Sequence, residues 1–227
     1  MSHVDTPLEH DDRMEFQLER LILFTDAVFA IAITLLVIEI KVPELHHVQS
    51  ERAVMIATLN LLPKFIGFLV AFFVIAIYWT AHHRVFRFVH RYTTGLIWLN
   101  IVFLLSIVLM PFTAAFQGDY PTMKTPWILY ACCVIFTGLM QVRLQVYIRN
   151  PARGLTLRHH STHPDLDPFR PLISVLIFSL SLVLSAVGFI LAAKFTLLLI
   201  WPFMVLYNRY RYRPLLRAYE QRFGVAA

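Results

Sequence analysis

The chain has 227 residues, of which 58% are hydrophobic and only 15% charged, and its net charge is +6. A water-soluble domain carries about 25% charged residues, so much of this protein's surface cannot face water. The two cysteines, Cys132 and Cys133, are adjacent in an apolar stretch, which excludes a disulfide framework and is typical of small buried residues.

Apolar stretches, taken in chain order, predict an all-α membrane protein with six transmembrane helices in a single repeat. A bilayer core of about 30 Å is crossed by about 20 helical residues. The helices are expected over about 20–41, 52–83, 92–117, 125–149, 170–192 and 195–212. The apolar stretch 171–208 is about twice the length of one span, so it must fold back; we expect the turn near 192–195 and a short sixth helix.

The segments outside these helices predict the orientation. Residues 1–19 are hydrophilic and do not form a cleavable signal peptide, and residues 213–227 form a basic tail. Fifteen of the 20 basic residues fall on the side that holds both termini, and four fall on the other side. The positive-inside rule therefore places both termini in the cytoplasm, and we expect the protein in the cell (inner) membrane. The basic tail is interpreted as a contact for lipid headgroups, not for nucleic acid.

The first helix carries both an aliphatic face and a buried acid. Ile31, Leu35 and Ile38 share one face of the helix, with Thr34 beside them, and Asp26 points almost the opposite way. An ionisable group inside a span is costly and marks a function or a bound partner. Asp26 belongs either to a structural hydrogen-bond network or to an ion or proton path.

A histidine trio lies in the predicted loop between the fourth and fifth helices. His159, His160 and His163 precede Asp165 and Asp167. Such residues can bind a metal. Because they form no defined ligand set, we expect a solvated cytoplasmic loop and no metal.

Several motifs resemble those of a known family. Arg20-x-x-x-Phe24-Thr25-Asp26 resembles the R-x-x-x-F-S-D signature of the endolysosomal-type potassium channels and their bacterial relatives, with threonine in place of serine. The similarity continues in later segments that contain Trp79-x-x-His82-His83-Arg84, Asn100 and Met110-Pro111-Phe112-Thr113.

The resemblance implies a homotetrameric potassium channel in the lipid bilayer, not an enzyme, with potassium as the permeant ion and no cofactor. The first helix of each subunit would line the pore, with constrictions at Ile31, Leu35 and Ile38 and a selectivity layer at Thr34. Conserved polar and aromatic residues of the family would hold the helices together; here they are Arg20, Phe24, Thr25, Asp26, Trp79, His82 and Asn100.

The expected mechanism is a hydrophobic constriction that closes by excluding water. The chain contains no TVGYG-like carbonyl filter, so potassium selectivity should be modest. Glu39, near the outer mouth, either concentrates cations or pairs with Lys41 among the headgroups.

Two other classes of protein stay open. A proton- or ion-coupled secondary transporter would use Asp26 and should show broken helices and internal repeats. A membrane enzyme with a histidine-bound metal would draw on His82, His83, His159, His160 and His163.

Overall fold

The computed structural model describes residues 7–43, 50–157 and 159–224, with the backbone alone for 7–14. Within these residues there is no strand, and six helices are long and apolar enough to cross a membrane, which confirms the predicted fold class. The first, third, fourth and fifth spans are α1 (Pro7–Ile38), α4 (Thr94–Asp119), α5 (Lys124–Arg149) and α6 (Phe169–Ala186). The second span consists of α2 (Glu51–Asn60) and α3 (Leu62–Phe86).

Proline explains why the second span is divided. Ser50 caps α2, its side chain accepting a hydrogen bond from the Ala53 amide at 3.2 Å. The helix is interrupted at Leu61, and Pro63 occupies the first turn of α3. Proline is tolerated there because the first turn of a helix has no intrahelical partner for its amide.

The fifth and sixth spans reverse direction earlier than the sequence suggested. The turn was expected near 192–195, but α6 ends at Ala186 and the next helix begins at Ile190. Gly188 adopts φ +102, a conformation that residues with a Cβ rarely adopt. The reversal therefore lies at 187–189, where the glycine permits it.

The sixth span is long rather than short, which corrects the expectation. It contains α7 (Ile190–Phe195), a 3₁₀ turn at Thr196–Leu199, α8 (Ile200–Tyr207), a π-helical turn at Asn208–Tyr212 and α9 (Arg213–Phe223). Pro202 and Pro214 each crowd the carbonyl four residues earlier, at positions 198 and 210. The two irregular turns accommodate these clashes. The helix continues through most of the predicted basic tail, and residues 1–6 and 225–227 lie outside the described residues.

The core lies around α4, which packs against α1, α3 and α5, while α5 packs against α6. Phe103, Ile107 and Met110 of α4 are fully buried. Near the 187–189 reversal, Ser181 of α6 accepts a hydrogen bond from the Trp127 indole at 3.0 Å and donates one to the Ala193 carbonyl at 2.7 Å. Polar contacts of this kind satisfy groups that lipid cannot.

Candidate functional site

One face of the first helix packs in the protein core, and the opposite face is exposed in the single chain. The buried face carries residues spaced by three, four or seven positions, namely Leu18, Thr25, Phe29, Ala32 and Leu36. On the other face, Ile31 is 58% exposed, Leu35 40% and Ile38 66%. The structure therefore points the aliphatic stripe (Ile31, Leu35, Ile38) away from its own subunit.

Thr34 lies on the exposed face beside the stripe. Its hydroxyl donates to the Ile31 carbonyl at 2.9 Å. Because the hydroxyl proton is used in this bond, the Thr34 oxygen can interact with a further group only through its lone pairs. A lone pair is what a cation requires.

A chain of hydrogen bonds joins the buried face of α1 to α4 and α3. The Asn100 amide nitrogen donates to the Thr25 hydroxyl at 2.8 Å, and the Asn100 carbonyl oxygen lies 2.8 Å from His82 Nε2. The Thr25 hydroxyl donates in turn to the Leu21 carbonyl at 2.8 Å. The bonds are mutually consistent when His82 carries its proton on Nε2, so each polar atom in the chain has a partner.

Aromatic rings enclose this network. The His82 ring stacks on Phe86 with a centroid separation of 4.0 Å and on Phe103 at 5.3 Å. Phe29 of α1 lies 6.1 Å from His82. Thr25, His82 and Asn100 are all buried, so no bulk water competes for their hydrogen bonds.

Asp26 contacts the second span separately from this chain of bonds. Its Oδ1 accepts a hydrogen bond from the Trp79 indole at 2.9 Å. The Trp79 ring stacks on His83 with a centroid separation of 5.8 Å. A neutral indole donor orients a carboxylate without neutralising its charge, so Asp26 is held in place at the edge of α1.

Two residues of the predicted network stand outside it in the single chain. Arg20 is exposed, and its guanidinium lies 5.9 Å from the Phe16 ring. Phe24 is 54% exposed. The structure thus brings together Thr25, Asp26, Trp79, His82 and Asn100, and the roles of Arg20 and Phe24 stay predictions for an assembled protein.

Glu39 follows the end of α1 and lines a shallow crevice between α1, α3 and α4. Lys64 and Asp119, which also line the crevice, form an ion pair at 2.5 Å. The predicted partner of Glu39, Lys41, is absent from this lining. The outer-mouth role of Glu39 stays a prediction.

The α5–α6 segment departs most from expectation, because its second half, at 164–167, is buried in the protein, whereas 150–154 are exposed as predicted. Its two carboxylates, Asp165 and Asp167, have side chains that are 4% and 3% exposed. Asp165 accepts hydrogen bonds from Arg87 after α3 and from the Tyr212 hydroxyl, the latter at 3.0 Å. We call the two carboxylate residues, Asp165 and Asp167, the acid clamp.

The second member of the acid clamp accepts its side-chain hydrogen bonds from the sixth span, and its Oδ1 also accepts one from the Phe169 amide of α6 at 3.3 Å. Asp167 Oδ2 accepts from Arg211 Nε at 2.7 Å and from the Tyr207 hydroxyl at 3.1 Å. Buried carboxylates need such charge-assisted partners to stay ionised. The acid clamp therefore fastens the segment before α6 to the end of the second span and to the sixth.

The histidine trio packs against rings. His163 lies 4.6 Å from Phe88 and 4.8 Å from Tyr219, and His159 lies 4.1 Å from His160. Within the part of the chain that the structure describes, no three His, Cys, Asp or Glu residues converge as metal ligands. Burial lowers the pKa of His163 below its usual 6.5, an effect reinforced by Arg87 and opposed by Asp165.

Sequence reasoning missed the acid clamp for an identifiable reason. Asp165 and Arg87 are 78 positions apart, and Asp167 and Arg211 are 44 apart. The one local signal was a pair of acids two residues apart between Pro164 and Pro168, in an otherwise basic region. That signal says nothing about which arginines would be their partners.

Comparisons with known proteins identify relatives of this chain. The family described as endosomal/lysosomal potassium channel TMEM175 matches residues 20–111, the part that holds the aliphatic stripe and the network. A Chamaesiphon minutus protein named a potassium channel is 32% identical over 185 residues, which are 77% of this chain and 91% of that protein. A human protein named an endosomal/lysosomal proton channel TMEM175 is 26% identical over 132 residues, 57% of this chain but 25% of that protein.

A solved structure shares the fold. The crystal structure of a lysosomal potassium-selective channel TMEM175 homolog from Chamaesiphon minutus superposes with a TM-score of 0.59 at 27% identity. The superposition covers 80% of this chain and 97% of that one. The likeness therefore extends over nearly all of the solved channel subunit.

Proposed function

The chain belongs to the TMEM175 family, and from that premise we propose that it is a channel that conducts potassium passively through a pore lined by α1 from four copies. The membership makes it a multi-pass channel protein of a family that is not enzymatic. The homotetramer, the cytoplasmic termini and the cell (inner) membrane are parts of the same proposal.

The observation that carries the proposal is the orientation of α1. Its buried face is bonded to the rest of the subunit through Thr25 and Asn100, so rotation of the helix about its own axis would cost buried hydrogen bonds. The opposite face presents Ile31, Leu35 and Ile38 outward. Four such faces around an axis would make three apolar rings.

Apolar rings of this kind gate by dewetting, because a narrow aliphatic passage holds no water when closed. A small outward movement of α1 would widen this passage and allow water to fill it. The Thr34 oxygens, adjacent to these rings, are the polar ligands available to a dehydrating cation, and Glu39 near the outer end raises the local cation concentration.

The primary test is ion flux into liposomes that contain the purified protein, with a potassium gradient and then an equal sodium gradient. The channel predicts passive uptake that is larger for potassium and needs no proton gradient. The same vesicles, loaded with a pH dye, measure proton entry, the activity in the name of the human relative. Uptake that occurs only with a proton gradient would contradict the channel and favour the alternative, a coupled transporter that uses Asp26.

Ile31→Asn tests the gate. We expect a constitutively wet pore and passive potassium flux well above that of the wild type, because one amide per subunit hydrates the narrowest ring. The matched control is Val37→Asn, since Val37 is 54% exposed on α1 but lies about 120° from Ile31 around the helix. Equal flux in the two variants would remove Ile31 from the gate.

Thr34→Val tests selectivity. Replacing the hydroxyl by a methyl of similar size should lower the ratio of potassium to sodium flux towards one, and Thr34→Ser should preserve it. An unchanged ratio in Thr34→Val would exclude the Thr34 oxygens as ligands.

Two further measurements test the number of chains in the assembly and the orientation of the protein in the membrane. Native mass spectrometry should give four chains per particle. Reporter fusions should place both termini in the cytoplasm, as the distribution of basic residues predicts. A dimer would require a different pore and would contradict the arrangement of four α1 helices.

A further inference from the structure

The arginine-rich end of the helix bundle contains two guanidinium groups that the acid clamp does not neutralise. Arg84 lies in the last turn of α3 and Arg170 in the first turn of α6, and both are half-buried. Neither side chain has a hydrogen bond or an ion pair with any residue that the structure describes. Arg170 contacts the Tyr212 ring with its guanidinium 5.8 Å from the centroid.

The two arginines are close enough to repel each other. Arg84 interacts electrostatically with Arg170, with Arg87 and with a single carboxylate, that of Asp165. Both oxygens of that carboxylate are already occupied, one by Arg87 and the other by the Tyr212 hydroxyl. Asp167 is occupied in the same way by Arg211 and Tyr207.

Local charge is therefore unbalanced. Four arginines (Arg84, Arg87, Arg170, Arg211) lie near two carboxylates, and only Arg87 and Arg211 form ion pairs with them among the described residues. A half-buried guanidinium is stabilised by an anionic acceptor, and among the residues that the structure describes none supplies one to Arg84 or Arg170 by a hydrogen bond or an ion pair.

We propose that Arg84 and Arg170 bind the phosphate of an anionic lipid headgroup in the cleft between α3, α6 and the π-helical turn at Asn208–Tyr212. Guanidinium forks match the tetrahedral oxygens of a phosphate, and basic pockets between spans at one end of a bundle are where such headgroups bind. The Tyr212 ring, 5.8 Å from the Arg170 guanidinium, would form part of this site. The bound phosphate then joins the second, fifth and sixth spans, adding an electrostatic link beside the acid clamp.

Exposed apolar side chains lie on the fifth and sixth spans, which would flank the proposed site. Phe169, which is 50% exposed, lies next to Arg170, and Val205 and Leu206 are 47% and 48% exposed on α8. This surface favours a phosphate that carries acyl chains over a free phosphate ion, because only the lipid buries apolar area as well as its charge.

The test measures lipid retention by native mass spectrometry on the full-length protein, released from nanodiscs of phosphatidylglycerol or phosphatidylcholine. We expect the wild-type protein to retain phosphatidylglycerol in preference to phosphatidylcholine. Arg84→Gln together with Arg170→Gln should weaken retention about tenfold or more, since each lost pair of charge-assisted hydrogen bonds exceeds one decade of affinity.

The matched control is Arg213→Gln together with Arg217→Gln. This double variant removes the same charge from exposed arginines at the same end of the molecule. We expect at most a twofold loss. Equal losses in the two double variants would show that general attraction, not the cleft, holds the lipid, and would overturn the proposal.

A second measurement needs no variant. Phenylglyoxal modifies accessible arginines, and peptide mass spectrometry should show Arg84 and Arg170 protected several-fold by phosphatidylglycerol vesicles, with Arg213 and Arg217 much less protected. Absence of protection overturns the site. If millimolar inorganic phosphate protects the same two arginines as well as the vesicles do, the cleft binds a soluble anion and the lipid assignment fails.

Discussion

At the scale of single residues, Asn100 is the central member of the hydrogen-bond network in the candidate site. Fully buried, it is the only link between the Thr25 hydroxyl and His82 among the described contacts. An amide can donate and accept at once, which neither a hydroxyl of threonine size nor an aliphatic side chain can do across this gap. The orientation of the exposed aliphatic stripe of α1 thus depends in part on one side chain of α4.

Asn100→Leu should lower the free energy of unfolding by about 1–3 kcal/mol, because it keeps the branched shape of the side chain but removes the hydrogen bonds that Asn100 makes with His82 and Thr25 inside the membrane. The measurement is reversible denaturation in mixed micelles. Asn60→Leu serves as the control, since Asn60 is exposed at the end of α2 and its replacement should change stability by less than about 0.5 kcal/mol. Equal stability of the two variants would mean that the network contributes nothing.

At the scale of helices, close approach of α5 and α6 depends on a glycine. A Cβ added at Gly138 would lie 2.6 Å from Val175 Cγ2 and 3.2 Å from the Tyr78 hydroxyl oxygen. That hydroxyl donates to the Val134 carbonyl at 3.2 Å, so α3 meets α5 at the same place. Small residues at such crossings let helix backbones approach closely in membranes.

Gly138→Ala should destabilise the protein by about 1–3 kcal/mol, the usual cost of overpacking a core. Gly67→Ala is the matched control within α3, because no atom lies within 4 Å of a Cβ built there. It should be neutral or stabilise by up to about 1 kcal/mol through helix propensity. The melting temperatures of the two variants and the wild type are compared by thermal unfolding in one detergent. A Gly138→Ala variant with the melting temperature of the wild type would contradict the need for a glycine at this crossing.

At the scale of the whole molecule, the acid clamp and the histidine trio connect elements distant in sequence. His163 Nδ1 accepts a hydrogen bond from the Asp165 amide at 3.1 Å, which requires that nitrogen to be deprotonated. Burial lowers the pKa of both His160 and His163 below 6.5. Each histidine therefore binds its proton more weakly in the folded protein than in the unfolded chain.

This direction of the pKa shifts has a definite consequence for stability. Between the folded pKa and 6.5 the unfolded segment binds more protons, so the docked segment is stable above about pH 6.5 and loses stability as the pH falls below it. Amide protection of Leu166 and Asp167, corrected for intrinsic exchange, should fall by up to about tenfold per pH unit in that range.

His163→Asn gives the control for this pH dependence. Asparagine keeps a capping acceptor for the Asp165 amide but does not titrate. Protection in the variant should vary less with pH than in the wild type. A wild-type protein whose protection is constant from pH 7.5 to 5.5 would contradict a role for His163 in this docking.

The sequence alone predicted a six-span all-α protein, because span length and hydropathy are local properties that the bilayer thickness constrains directly. It also placed Ile31, Leu35 and Ile38 on one helical face and Asp26 away from them, since the helical period depends only on spacing. Trp79, His82 and Asn100 followed from family resemblance, and the structure brings them into contact with α1.

Tertiary structure alone decided which polar groups pair. Asn100 reaches Thr25 across 75 positions, and Asp165 reaches Arg87 across 78, distances over which no sequence period gives a register. The sequence prediction also placed the turn too late in the chain and made the sixth helix too short. A continuous apolar stretch carries no hydropathy signal for the point at which it folds back, which the structure places at Gly188. Burial of a polar group requires a partner, but the identity of that partner is set by which helices pack together.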